Sequence, residues 1–364
     1  MSDPGVELSI IVPTYNEKEN IAELVSRIDT CLANQSWEVI FVDDDSPDGT
    51  ADLVRALARD DRRIRCIQRI NRRGLSSACI EGMLASSAPY LAVMDADLQH
   101  DERLLQQMLE TLKEEGFDLA VGSRYSAGGG VGNWDPLRTR MSRLATKLSR
   151  MVLRVPLSDP MSGFFMIRRS VFLGRVRHLS GVGFKILLDF IASSPQQLQL
   201  KELPYTFRSR QFGESKLDGQ VGWEYLLMLL DKLFGQFIPI GFLSFALVGG
   251  LGIVVHLLAL TFLFEGMKIS FLNSQIVATF IAMTSNFALN NVLTYRDVRL
   301  RGWHWLQGWA SFSLACSIGA FANVSIASHL FEKGTVWIIA ALVGISVSAV
   351  WNYAMTRAYT WKKP

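Results

Sequence analysis

Cysteine and histidine are scarce in this chain. Its 364 residues hold 4 cysteines and 5 histidines. Cys31, Cys66, Cys79 and Cys316 stand far apart, without CxxC spacing or accompanying histidines. A thiolate zinc site and a disulfide framework are thereby excluded, and a reducing compartment is the default. An excess of one charge is equally lacking: 37 Lys and Arg against 34 Asp and Glu leave a net +3. That argues for no nucleic-acid partner, although arginines gather around 138–177, where an anionic partner or a membrane surface could be met. The start, "MSDPGVELSIIVPTYNE", has no basic segment followed by an apolar stretch and a small-residue cleavage site. No signal peptide is expected, and the first domain is expected to stay on the side where it was made. Long hydrophobic runs are missing from the first 235 positions and dominate the remainder.

What is present in the first half is an alternation. "LSIIVPTY", "WEVIFVDDD", "IRCIQR", "YLAVMDAD" and "DLAVGSRY" read as strands, with helical patterns at 20–33, 49–59, 75–87 and 102–115 between them. This order predicts an α/β domain with a mainly parallel sheet. Ligands of such sheets bind beyond the carboxyl ends of the strands, where "TYNE", "DDDSPDG", "DADLQ" and "GSRY" all fall. Four polar clusters at equivalent strand ends make one site.

After 235 come four apolar stretches, 239–264, 270–293, 306–330 and 335–358. Each is near the ~20 residues that cross a ~30 Å hydrocarbon layer, so four transmembrane helices are expected. Arg296, Arg299 and Arg301 follow the second stretch and Arg357, Lys362 and Lys363 close the fourth, whereas the other two loops offer only Lys268 and Lys333. The positive-inside rule places the basic ends, and the first domain with them, in the cytoplasm. The preceding "GWEYLLMLLDKLFGQF" is read as an interfacial helix, with a buried helix of the first domain as the alternative. The expected division is 1–217, a linker at 218–237, and 238–364.

Within "MDADLQHD", alternation along an extended chain sends Asp95 and Asp97 to one side, where a hard divalent cation, Mg2+ or Mn2+, could draw oxygens from both and from Gln99. His100 beside them is read as a solvent-facing or supporting histidine rather than a general base. Asp48 and Gly49 read as a plain turn.

Taken in order, "IVPTYNEKENI", "VDDDSPDGT", "DADLQH", "GSRY", "DPMSGFF" and "FRSRQFGESKL" resemble the family 2 glycosyltransferases of GT-A fold that load a sugar onto a polyprenyl phosphate, especially the dolichol-phosphate mannose synthases. The likeness covers about 1–235. The helices after it, through "FALVGGLG" and "TSNFALNNVLTYRD", resemble a GtrA-type four-helix membrane domain.

The resemblance implies roles. Pro13, Tyr15 and Glu17 would line base and ribose, with Asp43 or Asp44 accepting hydrogen bonds from them; an aromatic face and carboxylate acceptors suit a nucleoside. Asp95, Asp97 and Gln99 would address the metal and the diphosphate, and Arg210 and Lys216 would reach the diphosphate from a loop. Arg124, Arg138 and Ser142 would clasp the acceptor phosphate. Asp159 would act on sugar hydroxyls or brace its loop. The other basic residues of that region, Arg140, Arg143, Lys147, Arg150 and Arg154, suit anionic headgroups. Asp95, Asp97 and Arg124 stand as the catalytic set.

A phosphate dianion needs no base, so direct attack would invert an α-linked donor sugar to a β-linked product. The resemblance points to mannose from GDP-mannose, with UDP-glucose as runner-up. A lipid-linked sugar transporter is the rival of another class, because His256 and the asparagines at 286, 290, 291, 323 and 352 lie within the apolar stretches. A homo-oligomer is compatible with the sequence and not required by it.

Overall fold

The computed structural model describes residues 5–132, 136–149, 153, 156–180, 185–193, 198–209, 219–235, 238–295 and 298–362. The chain separates into two compact units, Met1–Leu233 and Phe234–Pro364.

In the first unit the β-branched runs form β1 (Leu8–Thr14), β2 (Trp37–Asp43), β3 (Ile64–Gln68), β4 (Tyr90–Val93), β5 (Leu119–Ser123), β6 (Phe165–Arg168) and β7 (Leu200–Pro204). The helices α1 (Lys18–Cys31), α2 (Thr50–Asp60), α3 (Leu75–Leu84) and α4 (Leu104–Lys113) follow the first four strands in turn. Then come α5 (Pro136–Ser149), α6 (Arg169–Leu173), α7 (Ile186–Ala192) and α8 (Gly219–Phe234). The sheet order is β3-β2-β1-β4-β6-β5-β7, and only β6 runs against its neighbours. Alternation divides the buried side chains of β1 between two faces. Leu8, Ile10 and Val12 meet Ile21, Leu24 and Ile28 of α1 on one side, while Ile11 faces Ala78, Cys79 and Met83 of α3 on the other.

The chain winds from β1 through β2 to β3 in one direction and then returns to lay β4 on the other flank of β1. That reversal is a switch point, and it opens a crevice beyond the ends of β1 and β4. Their pairing stops at Ile11 and Val93, although β1 continues beside β2 through Pro13 and Thr14. Pro13 therefore sits where β1 has a neighbour on one side only, so its missing N–H removes no ladder bond there. The exits of the first four strands share a device: Asn16, Asp45, Asn71 and Leu98 all have φ between 57° and 59°. Single left-handed residues reverse the chain tightly, and their clustering along one sheet edge marks it as the functional one.

Helix α8 packs on this unit through Met228 and Leu229, which meet Met161 and Leu188, and Tyr225 Oη donates to the Ala145 carbonyl at 2.6 Å. Leu226, Leu233 and Phe234 remain exposed. One face of α8 is thus buried against this unit, as the alternative reading of the sequence expected.

The second unit holds α9 (Ile240–Thr261), α10 (Phe271–Leu289), α11 (Trp303–Glu332) and α12 (Trp337–Met355). With the wider π-turns that prolong α9, α10 and α12, these give four spans of 24–30 residues, each apolar and long enough to cross a bilayer. They form two hairpins built on one pattern. "GFLSFALVGGLG" at 241–252 is matched by "GWASFSLACSIG" at 308–319, and "NFALNNVLTYR" at 286–296 by "NYAMTRAYTWK" at 352–362. The contacts repeat as well. Ser244 Oγ lies 2.8 Å from Thr294 Oγ1, as Ser311 Oγ lies 3.0 Å from Thr360 Oγ1. A side chain at Gly252 would strike Asn286, and one at Gly319 would strike Asn352. The hairpins meet where Tyr295 and Trp361 stack at 4.2 Å, against Phe287 and Phe312. Glycine here serves close helix approach, and the asparagines serve the interior of each hairpin.

Candidate active site

At the exits of β1 and β2 the two loops are stitched together. Asp43 accepts from Thr14 Oγ1 (3.0 Å), Ser46 Oγ (2.6 Å) and the Ser46 amide (2.9 Å), while Ser46 Oγ also accepts from the Asn16 amide. Asp43 is fully buried, so its carboxylate shapes the loop from within. Asp44 accepts from Arg69 Nη1 at 2.7 Å and from the Gly74 amide at 2.7 Å. Burial pushes the Asp44 carboxyl up more than that amide and that guanidinium pull it down. Glu17 accepts from Asn20 Nδ2. The Tyr15 ring lies under the Arg73 guanidinium, 4.4 Å from its centroid. Asp48 accepts from the Thr50 amide and hydroxyl and from the Lys18 amide, so its turn also ties α1 to α2.

Beyond β4 the extended-chain expectation needs correction. The strand ends at Val93, before both carboxylates, and Leu98 at φ 59° folds the following segment into a turn. The segment that carries Asp95, Asp97 and Gln99 is therefore a turn and not a continuation of the strand. Asp97 Oδ1 accepts from the Gln99 amide at 3.2 Å. Gln99 Nε2 donates to the Arg208 carbonyl at 2.9 Å, so the amide nitrogen is spent on protein and the side-chain oxygen is the atom left for a cation. Asp95 keeps 34% of its side chain exposed and approaches Gly163 so closely that a Cβ there would lie 2.8 Å from Oδ2. Burial acts to raise the Asp95 carboxyl, but the His100 hydrogen bond and the charges of Lys185 and Arg124 outweigh it and hold Asp95 below the usual carboxylate range. Among the described residues no three His, Cys, Asp or Glu side chains gather as a metal cage. Asp95, Asp97 and Gln99 lie on one short segment, and carboxylate and amide oxygens are the hard donors that a cation such as Mg2+ or Mn2+ would take.

At the exit of β5, Arg124 and Asp159 form a buried fork-to-fork pair, Nε to Oδ2 at 2.7 Å and Nη2 to Oδ1 at 2.8 Å. The Arg124 amide adds a third bond to Oδ2 at 3.1 Å. Although burial works against its charge, Asp159 holds Arg124 firmly protonated. Of the two roles the sequence left for Asp159, bracing is the one its contacts perform, and Glu202 in turn accepts from the Ser158 and Asp159 amides. Ser142 Oγ accepts from Tyr125 Oη at 2.9 Å, which brings α5 to the neighbour of Arg124. Arg138 lies one turn earlier on α5, its side chain outside the described residues, as are Arg210 and Lys216.

Sequence reasoning missed Arg69, Arg73 and Lys185. The strand-end rule already in use would have found the first two, because "QRINRRG" leaves β3 as "DDDSPDG" leaves β2. Lys185, which reaches the Met161 carbonyl at 3.3 Å, stands outside any strand-end cluster and carries no local signal.

An α/β unit with acidic and basic groups at the exits of its strands, followed by four helices long and apolar enough to span a bilayer, has the make-up of a membrane-bound enzyme, and the comparisons with known proteins make it a glycosyltransferase. The family profile "Glycosyl transferase family 2" matches residues 9–174, and "GtrA/DPMS, transmembrane domain" matches 244–361. The dolichol-phosphate mannosyltransferase of Pyrococcus furiosus is 37% identical over 360 residues, spanning 98% of this chain and 99% of that one. That of Saccharomyces cerevisiae is 39% identical over 242 residues, 64% of this chain and 89% of its own. Among solved structures, glucosyl-3-phosphoglycerate synthase from Mycobacterium tuberculosis, crystallised with Mn2+, UDP and glucosyl-3-phosphoglycerate, is similar at 19% identity and a TM-score of 0.46, over 63% of this chain and 80% of that one. The chain belongs to the dolichol-phosphate mannosyltransferase family.

Proposed function

We propose that the protein transfers mannose from GDP-mannose to a polyprenyl phosphate, with inversion, at the cytoplasmic face of a membrane. Residues 1–217 carry catalysis, 218–237 lay the catalytic unit on the headgroups, and 238–364 anchor it. The observation that carries this reading is that His100, which contacts Asp95 beyond the end of β4, and Arg124 at the exit of β5 both pack on the ring of Phe207, 5.5 Å from its centroid in each case, so the acidic turn and the buried guanidinium share one end of the sheet. Identity along nearly the whole length of a dolichol-phosphate mannosyltransferase supports the choice of sugar and acceptor.

Pro13, Tyr15 and Glu17 receive the nucleoside, with Asp43 and Asp44 setting the loop around it. Asp95, Asp97 and Gln99 hold a divalent cation, Mg2+ or Mn2+, which when bound neutralises charge growing on the departing diphosphate. Arg124, aligned by Asp159, and Ser142 and Arg138 of α5 hold the acceptor phosphate in line with the anomeric carbon. Arg210 and Lys216 cover the diphosphate. No side chain need remove a proton from a phosphate dianion, so the chain contributes placement and charge.

Purified protein in detergent, given radiolabelled GDP-mannose or UDP-glucose with polyprenyl phosphate, is expected to form lipid-linked mannose. Product from UDP-glucose alone would move the assignment to a glucosyltransferase, and no product from either would end the reading.

A further inference from the structure

His100 is 2% exposed, its ring set among Phe164, Phe207 and Tyr205 at centroid distances of 5.0, 5.5 and 5.8 Å. Both ring nitrogens are engaged. Nδ1 lies 2.9 Å from Tyr205 Oη, and Nε2 lies 3.2 Å from Asp95 Oδ2. A carboxylate oxygen only accepts, so in the contact with Asp95 it is Nε2 that donates, while Nδ1 pairs with the Tyr205 hydroxyl. A ring so enclosed is not a base open to substrate. It is a support, and what it supports lies two residues beyond the end of β4. On another side the carboxylate meets the bare backbone of Gly163. Asp95 is thus fitted between a glycine that makes room for it and an imidazole that binds one of its oxygens.

The support comes from a single segment. Tyr205 lies immediately after β7, and three residues on, Arg208 completes a clasp. Its amide donates to the Gln99 carbonyl, its carbonyl accepts from Gln99 Nε2, and its guanidinium reaches Asp101 at 2.9 Å and Glu102 at 2.7 Å. Two of the three oxygen donors proposed for the cation, on Asp95 and Gln99, are therefore oriented by residues 205–208.

We propose that His100, seated by Tyr205, is a positioning residue that fixes the orientation of Asp95 and so sets the affinity of the site for its divalent cation. The inference rests on the metal reading above. Hydrogen-bond partners of a ligating carboxylate limit its rotation before the ion arrives, and their loss typically costs about 10–100-fold in metal affinity.

The test is titration of the full-length protein in detergent with Mn2+ alone, following free Mn2+ by electron paramagnetic resonance. His100→Leu, which keeps bulk and removes the donor, is expected to bind about 10–100-fold more weakly than the parent. His100→Gln, which restores an N–H donor toward Asp95, is expected to return most of that loss. Tyr205→Phe, which preserves the ring packing and removes only the hydroxyl, is expected to show a smaller loss, roughly 3–10-fold. Parental affinity in His100→Leu, or equal loss in His100→Gln and His100→Leu, overturns the proposal. Should His100→Leu fail to fold, parental affinity in Tyr205→Phe does the same. Asp97→Ala separates the two levels. If it binds Mn2+ as the parent does, or the parent binds none, the metal reading fails and this inference with it. If Asp97→Ala alone loses Mn2+ while His100→Leu and Tyr205→Phe keep it, only this inference falls.

Discussion

At the scale of the residue, the site is a set of charges whose internal partners decide what each can do. Arg124 illustrates this, since its fork is aligned by a carboxylate with no exposed surface. Breaking a buried pair from one side leaves the other charge uncompensated, so Asp159→Ala is expected to lower stability by about 3–5 kcal/mol. Denaturant or thermal unfolding in detergent measures the loss. Arg124→Lys keeps the charge and loses the fork, and is expected to raise the KM for polyprenyl phosphate more than that for the nucleotide sugar. Gly163→Ala would set a methyl against the Asp95 carboxylate, so it is expected to depress Mn2+-dependent turnover while the fold persists. The carboxylates and Arg124 were legible in the sequence because strand ends collect ligand-binding groups. Their partners were not: nothing near "DADLQH" announces Tyr205, which only the fold brings to His100.

At the scale of the element, turns carry much of the information. The first five strands, the first four helices and the four spans follow from apolar periodicity and length, which a single chain displays. The antiparallel β6 was not legible, because its four residues are as apolar as any parallel strand and direction leaves no mark on composition. The turn at Leu98 escaped too, since leucine gives no warning of a positive φ. Asp48 shows what such turns contribute. Burial acts to raise its carboxyl, but bonds from the Thr50 hydroxyl and from the Thr50 and Lys18 amides hold it below the usual range. A depressed value stabilises the fold above the unfolded pKa of about 4 and ceases to do so as pH falls through the folded one. Asp48→Ala is therefore expected to cost roughly 1 kcal/mol near pH 7 through the lost capping bonds, and its gap to the parent is expected to narrow as pH falls below the unfolded value of about 4. In the membrane unit, Gly252→Val or Gly319→Val is expected to lower thermal stability by about 1–3 kcal/mol by forcing each asparagine out of its seat. Gly249→Ala and Gly250→Ala, which meet open space, serve as the neutral comparison.

At the scale of the whole molecule, the hairpin repeat went unread because its two copies share small residues and aromatics rather than a run of identities, and only the matched contacts make the correspondence plain. Orientation remains testable by chemistry. In inside-closed vesicles, a cysteine placed at Gly334 between α11 and α12 is expected to react with an impermeant maleimide from the external side. One placed at Gly302 between α10 and α11 is expected to react only after permeabilisation. The reverse pattern would put the catalytic unit outside. The seam between the hairpins has a consequence for biosynthesis. Trp361 stacks on Tyr295 and donates to Asn291 Oδ1 at 3.0 Å, so a residue synthesised late locks one synthesised far earlier. Each hairpin can enter the bilayer as it leaves the ribosome, yet the four-helix assembly stays unlatched until positions 356–362 have been translated.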